Sequence, residues 1–212
     1  ETDHENDYEV ETRLAGRFNI YNTLGAIGAA LNEGISMDDA IEAVKDFQSV
    51  PGRFELIDEG QSFAVVVDYA HTPDGLEKIL GTAREITEGK IIAVFGCGGD
   101  RDRMKRPIMG SIAAEHADIS IVTSDNPRTE DPEKIIEDVV VGVEKVKKNK
   151  PDLYYEVIAD RRQAIKRAVS LAKDDDIVII AGKGHEDYQI LKDRTIHFDD
   201  REEARNALKE VK

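Results

Sequence analysis

One cysteine, Cys97, stands in the whole chain of 212 residues. No internal disulfide is therefore available, and a reducing, cytoplasmic setting fits. Positive charge is also scarce: Lys+Arg 29 against Asp+Glu 44 leave a formal net charge of -15. That balance disfavours a nucleic-acid backbone or an anionic membrane surface as the main partner. It leaves room for a small anionic ligand, because a local arginine cluster overrides the global field. No apolar run approaches the ~20 residues of a membrane span, and Glu1 to Glu11 is polar rather than signal-like. Two nucleotide-binding motifs are missing as well. No G-x-x-x-x-G-K-[ST] loop occurs, so no complete triphosphate cradle is present. Gly96-Cys97-Gly98-Gly99 runs at once into Asp100 and Arg101, unlike the spaced G-x-G-x-x-G fingerprint of hydride-transferring enzymes.

The length suits one α/β domain, or one domain plus a piece of another. Tyr8 to Leu14 alternates like a half-exposed strand, without a visible partner hairpin. A helix is expected over 17–32, where Gly25 and Gly28 suggest close packing against a neighbour. A second helix follows the capping pattern Ser36-Met37-Asp38-Asp39. Ser49-Val50-Pro51-Gly52-Arg53-Phe54 breaks the pattern and predicts a domain boundary, dividing the chain into 1–52 and 53–212. From Phe54 onward strands and helices alternate. Strands are expected at Phe63–Ala70, Lys90–Phe95, Ile119–Thr123, Tyr154–Ile158 and Ile177–Ala181. Helices are expected at Pro73–Ile86, Pro107–His116, Pro132–Lys147 and Arg161–Ala172. A short hairpin around Lys192-Asp193-Arg194 and a closing helix Arg201–Val211 complete the chain. This order predicts a Rossmann-like, mostly parallel sheet flanked by helices, preceded by a helical piece of a second domain.

The unusual residues follow the strands. Asp68-Tyr69-Ala70-His71-Thr72-Pro73-Asp74 comes after the first and the glycine loop with Arg101 after the second. Asp125-Asn126-Pro127-Arg128 comes after the third, Ala159-Asp160-Arg161 after the fourth, and Gly182-Lys183-Gly184-His185-Glu186 after the fifth. In a parallel sheet these loops share one edge, so they are expected to line a single cleft. Glycine lets backbone approach a ligand closely. Arg128, after the stiffening Pro127, presents a planar fork suited to a carboxylate or phosphate; the plainer reading is a capped turn with a solvated arginine. Arg101, Arg103, Lys105 and Arg106 read either as an anion-binding cluster or as a solvated loop. Asn19 and Asn22 share a helix face, as ligand amides or as surface polarity. Cys97 has no paired base, and packing between glycines explains it. His71 and His185 show no recognised metal spacing, and His4, His116 and His197 read as ordinary polar positions. Glu186 suits a ligand ammonium or a solvated surface.

Taken in order, seven motifs resemble the ATP-dependent Mur ligases of peptidoglycan synthesis. They are Gly16-Arg17-Phe18-Asn19-Ile20-Tyr21-Asn22, Pro51-Gly52-Arg53, Asp68 to Asp74, Gly96 to Asp102, Asp125 to Arg128, Gly182 to Glu186, and Phe198-Asp199-Asp200-Arg201. The resemblance runs from about Gly16 to the end. It is nearest to the branch that adds meso-diaminopimelate, where the Asp-Asn-Pro-Arg motif marks diaminopimelate rather than lysine. It implies the tail of the central ATP-binding domain followed by the complete last, amino-acid-binding domain. The phosphate-binding loop, the magnesium ligands and the carbamylated lysine of that family have no counterpart here, so the chain is expected to be a fragment inactive in ligation alone. By resemblance Asn19, Asn22, Arg53, Asp68, Tyr69, His71 and Pro73 address ATP. Arg101, Asp125, Asn126, Arg128, Gly182 and Glu186 address meso-diaminopimelate. The implied co-substrates are ATP with Mg2+ and UDP-N-acetylmuramoyl-L-alanyl-D-glutamate. The missing domains are implied as partners, with a monomer expected. The alternative is a stand-alone amino-acid-binding or regulatory module without catalysis. A folylpolyglutamate synthetase-like ligase fits the Asp-Asn-Pro-Arg and Gly-His-Glu motifs poorly.

Overall fold

The computed structural model describes residues 7–211; His4 lies outside the described residues. The chain divides into two compact units, one ending at Val50 and the other beginning at Pro51.

The first unit holds α1 (Arg17–Asn32) and α2 (Met37–Asp46). Ser36 caps α2 by accepting a hydrogen bond from Asp39 N at 3.2 Å, as its capping pattern requires. Two expectations fail in this unit. Residues 8–15 form no strand, because alternation alone cannot hold an extended segment that has no neighbour to complete its backbone hydrogen bonds. Gly25 and Gly28 have nothing within 4 Å of where a side chain would begin, so they do not serve close packing within this unit. Phe18, Ile20, Tyr21, Leu24 and Leu31 of α1 are exposed.

The second unit is a three-layer α/β fold. Its strands are β1 (Glu55–Leu56), β2 (Ala64–Asp68), β3 (Ile91–Phe95), β4 (Ile119–Val122), β5 (Tyr154–Val157) and β6 (Ile177–Ala181). They form one six-stranded sheet in the order β1-β2-β6-β3-β4-β5. Only β1 is antiparallel, pairing Glu55 with Val67 and Leu56 with Val66. This two-residue edge strand carries too few residues to show a period. The helices are α3 (Pro73–Ile86), α4 (Lys105–His116), α5 (Pro132–Lys147), α6 (Arg161–Leu171) and α7 (Asp200–Glu210). A separate hairpin pairs β7 (Tyr188–Ile190) with β8 (Thr195–His197).

Alternate strand residues explain the layers. Val65, Val67, Ile92, Val94, Ile121, Val178 and Ile180 pack with α6 and α7 through Ile165, Val169, Ala204 and Leu208. The intervening residues turn to the other face, where α3, α4 and α5 lie against the sheet. Covering on both faces is why these strands read as continuous apolar runs rather than alternating ones. On the covered side α4 and α5 meet closely. A side chain at Gly110 would begin 2.1 Å from Val139 O, and one at Gly142 would begin 1.8 Å from Pro107 O. The helix starts follow their sequence signals: Thr72, Asp131, Asp160 and Asp199 cap α3, α5, α6 and α7.

Candidate functional site

The parallel register aligns the strand ends. Asp68 lies beside Ala181, Val94 beside Ile180, and Phe95 beside Val122. The loops leaving β2, β3, β4 and β6 therefore emerge together. Between them lies a cavity of about 380 Å³ lined by Tyr69, His71, Gly98, Arg101, Lys105, Asp125, Arg128, Gly182, Glu186 and Tyr188, among others. The loop after β5 does not reach it. Asp160 there caps α6 by accepting from Gln163 N at 3.0 Å, and Arg161 is wholly buried.

Arg128 occupies the cationic wall. Its backbone takes a left-handed φ of 51°, a conformation that side chains seldom adopt. The loop holds it there through Arg128 N donating to Ile190 O at 3.1 Å. Nη1 donates to Gly99 O at 2.8 Å and to Asn126 O at 3.4 Å. Nη2 and Nε make no hydrogen bond among the described residues, so a forked pair of donors is left for an anion. Arg101, exposed on the same wall, forms no ion pair among the described residues.

The supposed basic cluster otherwise disperses. Arg106 is 1% exposed and pairs with Glu130 at 2.8 Å and Asp138 at 2.9 Å. Arg103 reaches Glu130 at 2.7 Å. Lys105 lines the cavity and donates to His71 O at 2.8 Å. Hydrogen bonding to Arg106 above all holds the Glu130 carboxyl far down, at about 2. The four charges look alike in sequence because the acidic partners of Arg103 and Arg106 lie 24 to 32 residues away.

The glycine loop also differs from expectation. A side chain at Gly96 would begin 2.3 Å from Thr123 O, and one at Gly99 would begin 2.0 Å from Pro127 O. These two glycines let the loops after β3 and β4 press together. Gly96 and Gly98 both line the cavity, and a side chain at Gly98 would begin 2.8 Å from Arg128 Nη1. Cys97 is buried against Met109 Sδ at 3.6 Å, and burial pushes its thiol up to about 12. A thiol held protonated is no nucleophile.

Two carboxylates, Asp125 and Glu186, line the same cavity. Asp125 accepts from Asn126 N at 2.6 Å. Gly182, at φ 126°, lies so near that a side chain would begin 2.7 Å from Asp125 Oδ2. Glu186 Oε2 accepts from Asn126 Nδ2 at 2.9 Å and from Lys183 Nζ at 3.2 Å. Asn126 is buried, and its Oδ1 accepts from Ile190 N at 2.9 Å and Lys183 Nζ at 3.2 Å. Its side chain thus ties the anionic wall to the hairpin. The sequence reading passed over Lys183 and Tyr188. Tyr188 borders the cavity, and the Glu186 charge foremost raises its phenol above the ordinary value. Lys183 stands inside the Gly182–Glu186 motif, but nothing in sequence shows that its side chain turns inward; Tyr188 carries no spacing signal, since β7 (Tyr188–Ile190) reaches this edge only through tertiary folding.

At the β2 end, Asp68 accepts from Phe54 N at 2.8 Å and Ala70 N at 2.7 Å. Burial raises its carboxyl despite those bonds and the nearby Arg53. Arg53 stacks 4.6 Å from the Tyr69 ring centroid. That ring meets His71 at 4.6 Å and His185 at 5.2 Å. Pro73 opens α3 and touches none of these groups through a hydrogen bond. In the first unit, Asn19 Nδ2 donates to Ala15 O at 2.7 Å and its Oδ1 accepts from Asn22 Nδ2 at 3.2 Å. Both border an apolar cavity of about 440 Å³ within that unit. Among the described residues no three His, Cys, Asp or Glu side chains converge on a metal position.

The Mur ligase, glutamate ligase domain model matches residues 52–184. The 2,6-diaminopimelate ligase acting on UDP-N-acetylmuramoyl-L-alanyl-D-glutamate from Clostridium botulinum is 54% identical over 95% of this chain and 41% of its own length. The enzyme of the same description from Thermosynechococcus vestitus is 54% identical, over 95% of this chain and 40% of its own. The chain thus spans about 41% of the length of the curated relatives it matches. A solved structure of a 2,6-diaminopimelate ligase superposes with TM-score 0.73 at 41% identity, covering 98% of this chain and 42% of that one. A UDP-N-acetylmuramate–alanine ligase from Thermotoga maritima, 20% identical, shares the fold with TM-score 0.63 over 97% of this chain and 40% of its own. The chain belongs to the Mur ligase family.

Proposed function

We propose that this chain is the amino-acid-binding part of an ATP-dependent ligase that joins meso-diaminopimelate to UDP-N-acetylmuramoyl-L-alanyl-D-glutamate in the cytoplasm. The observation that carries the reading is that Arg128 and Arg101 line the same cavity of about 380 Å³ as Asp125 and Glu186. Diaminopimelate ends in a carboxylate and an ammonium at its far centre; lysine ends in the ammonium alone. A forked guanidinium grips that carboxylate through two charge-assisted hydrogen bonds, with Arg101 beside it. Glu186 and Asp125, next to Gly182, receive the ammonium, and Asn126 holds Glu186 in place. The names of the relatives point the same way.

In such a ligase, ATP phosphorylates a carboxylate of the nucleotide-linked peptide, and the amine of the incoming amino acid displaces phosphate from that acyl phosphate. The contribution of this chain is positioning, which lowers the entropic cost of bringing the amine to the acyl carbon. Arg53, Asp68, Tyr69 and His71, with Pro73 fixing the start of α3, address the nucleotide. Within the first unit the Asn19–Asn22 amide pair is assigned to the adenine. The described residues do not fit a resident Mg2+ site, so Mg2+ belongs with sequence that supplies the phosphate-binding loop. Because this sequence contains no such loop, the chain alone turns nothing over.

The test is a titration with meso-diaminopimelate and, separately, lysine, followed by backbone amide shifts. Saturable shifts around Asn126, Arg128 and Glu186 with diaminopimelate only are expected. A stronger response to lysine would overturn the role of Arg128. ATP-dependent turnover by the purified chain would overturn its dependence on further domains.

A further inference from the structure

The reading above leaves one buried cation without a task. The Lys183 side chain is 0% exposed, and lysine is rarely buried unless paired. Its ammonium lies 3.2 Å from Asn126 Oδ1, 3.2 Å from Glu186 Oε2, and 5.5 Å from the centroid of the Tyr188 ring. An ammonium carries three donors and no acceptor; Asn126 Oδ1 and Glu186 Oε2 take two of them, and Lys183 is not among the residues that line the cavity.

What it does is constrain the groups that do. The Asn126 amide has two possible orientations. Lys183 Nζ and Ile190 N are both donors and both address the same atom of that amide, which must then be the oxygen. The NH2 group is thereby turned onto Glu186. A flipped amide would set an NH2 against an ammonium and a backbone N–H, leaving buried donors unsatisfied. Glu186 Oε2 is occupied by Lys183 and Asn126 together, and Oε1 makes no hydrogen bond among the described residues.

The charges around it balance in a telling way. Beneath the pocket, Arg161 binds Asp200 through Nε and Nη2, both at 2.7 Å, and holds Ala181 O at 3.0 Å, immediately before Gly182. Burial works against the Arg161 charge, but Asp200 and, further off, Asp125 and Glu186 hold it above its ordinary value. Two cations, Arg161 and Lys183, thus face three carboxylates, Asp125, Glu186 and Asp200.

We propose that Lys183 is the positioning residue of the anionic wall, fixing the Asn126 amide and the Glu186 carboxylate so that Glu186 Oε1 is presented to the ligand ammonium. This rests on the reading of Glu186 as the ammonium acceptor. The test is Lys183→Met, which keeps the length of the side chain and removes its charge. The Asn126 side-chain amide signals are expected to shift and lose protection, while amide signals of the β2, β3 and β6 core stay in place. Affinity for meso-diaminopimelate is expected to fall at least about tenfold, and affinity for 2-aminopimelate, which lacks one ammonium, less than about threefold. A merely structural lysine would weaken both ligands alike. Unmoved Asn126 signals would overturn the proposal. So would tighter diaminopimelate binding, the result expected if net charge alone governed the wall. Should the wild type bind neither ligand, the proposed function falls, and the Asn126 signals still decide the role of Lys183. The wild type offers a measurement that needs no variant to fold: a slowly exchanging Lys183 NH3+ signal with cross-peaks to the Tyr188 ring is expected, and its absence would refute the arrangement.

Discussion

Replacing Arg128 with alanine removes the guanidinium and little else. Alanine keeps a Cβ, so the left-handed backbone at φ 51° is as strained in the variant as in the wild type. The bond from Arg128 N to Ile190 O at 3.1 Å is also kept. Besides the long 3.4 Å contact from Nη1 to Asn126 O, two things are lost. One is the Nη1 bond to Gly99 O at 2.8 Å, worth about 1 kcal/mol net, which lowers Tm by roughly 2–4 °C in a protein of this size. The other is the forked contact that Nη2 and Nε offer to a ligand carboxylate. A hydrogen bond to a charged group is worth roughly 1.5–3 kcal/mol, which converts to about a 10- to 150-fold loss of affinity. Only meso-diaminopimelate has the carboxylate to lose. Its dissociation constant in a calorimetric or amide-shift titration should rise by that factor, and that of lysine by less than about threefold, in line with the penalty a polar pocket imposes on ligands lacking its partner. Equal losses for both ligands, or a change confined to Tm, would refute the argument that Arg128 selects the ligand.

Acid and the buried pair offer two further checks. Glu130 falls from 4.5 to about 2, and a carboxyl depressed in the folded state contributes stability above its unfolded value that is lost as pH falls through the folded one. Denaturant midpoints should therefore drop between about pH 4.5 and 2, and Glu130→Gln should flatten that slope. Arg161 and Asp200 are both 0% exposed, so Arg161→Met alone strands a buried carboxylate and should cost about 3–5 kcal/mol. The double variant Arg161→Met with Asp200→Leu should recover most of that in the same denaturant assay; a double variant as unstable as the single one would show that packing, not charge, sets the cost.

The layered α/β fold was open to sequence reading because burial on both faces leaves a strong mark. Runs such as Ile91–Phe95 and Ile177–Ala181 are apolar without interruption, and α2, α3, α5, α6 and α7 each start on a side-chain cap. The strand-end loops were legible for the same reason, since a parallel sheet sends every one of them to a single edge. Tyr8–Leu14 misled because a period of two describes a strand but does not supply its neighbour. Gly96 and Gly99 were harder, because a glycine needed by a ligand and one needed by an adjacent loop are the same letter.

By itself the sequence determined the order of elements, the shared edge, the family resemblance and the residue types available there, all of which depend on local pattern and chain order. Tertiary structure alone decided which charges are free to act. Arg101, Arg103, Lys105 and Arg106 are neighbours in sequence, yet Arg106 is buried on Glu130 and Asp138 while Arg101 is left exposed at the cavity. Lys183 and Asn126 are 57 residues apart, and Arg161 and Asp200 are 39 apart. Their pairing depends on distances that only the folded chain creates, because an ionic or hydrogen-bonded contact is set by ångströms in space and leaves no periodic trace along the chain.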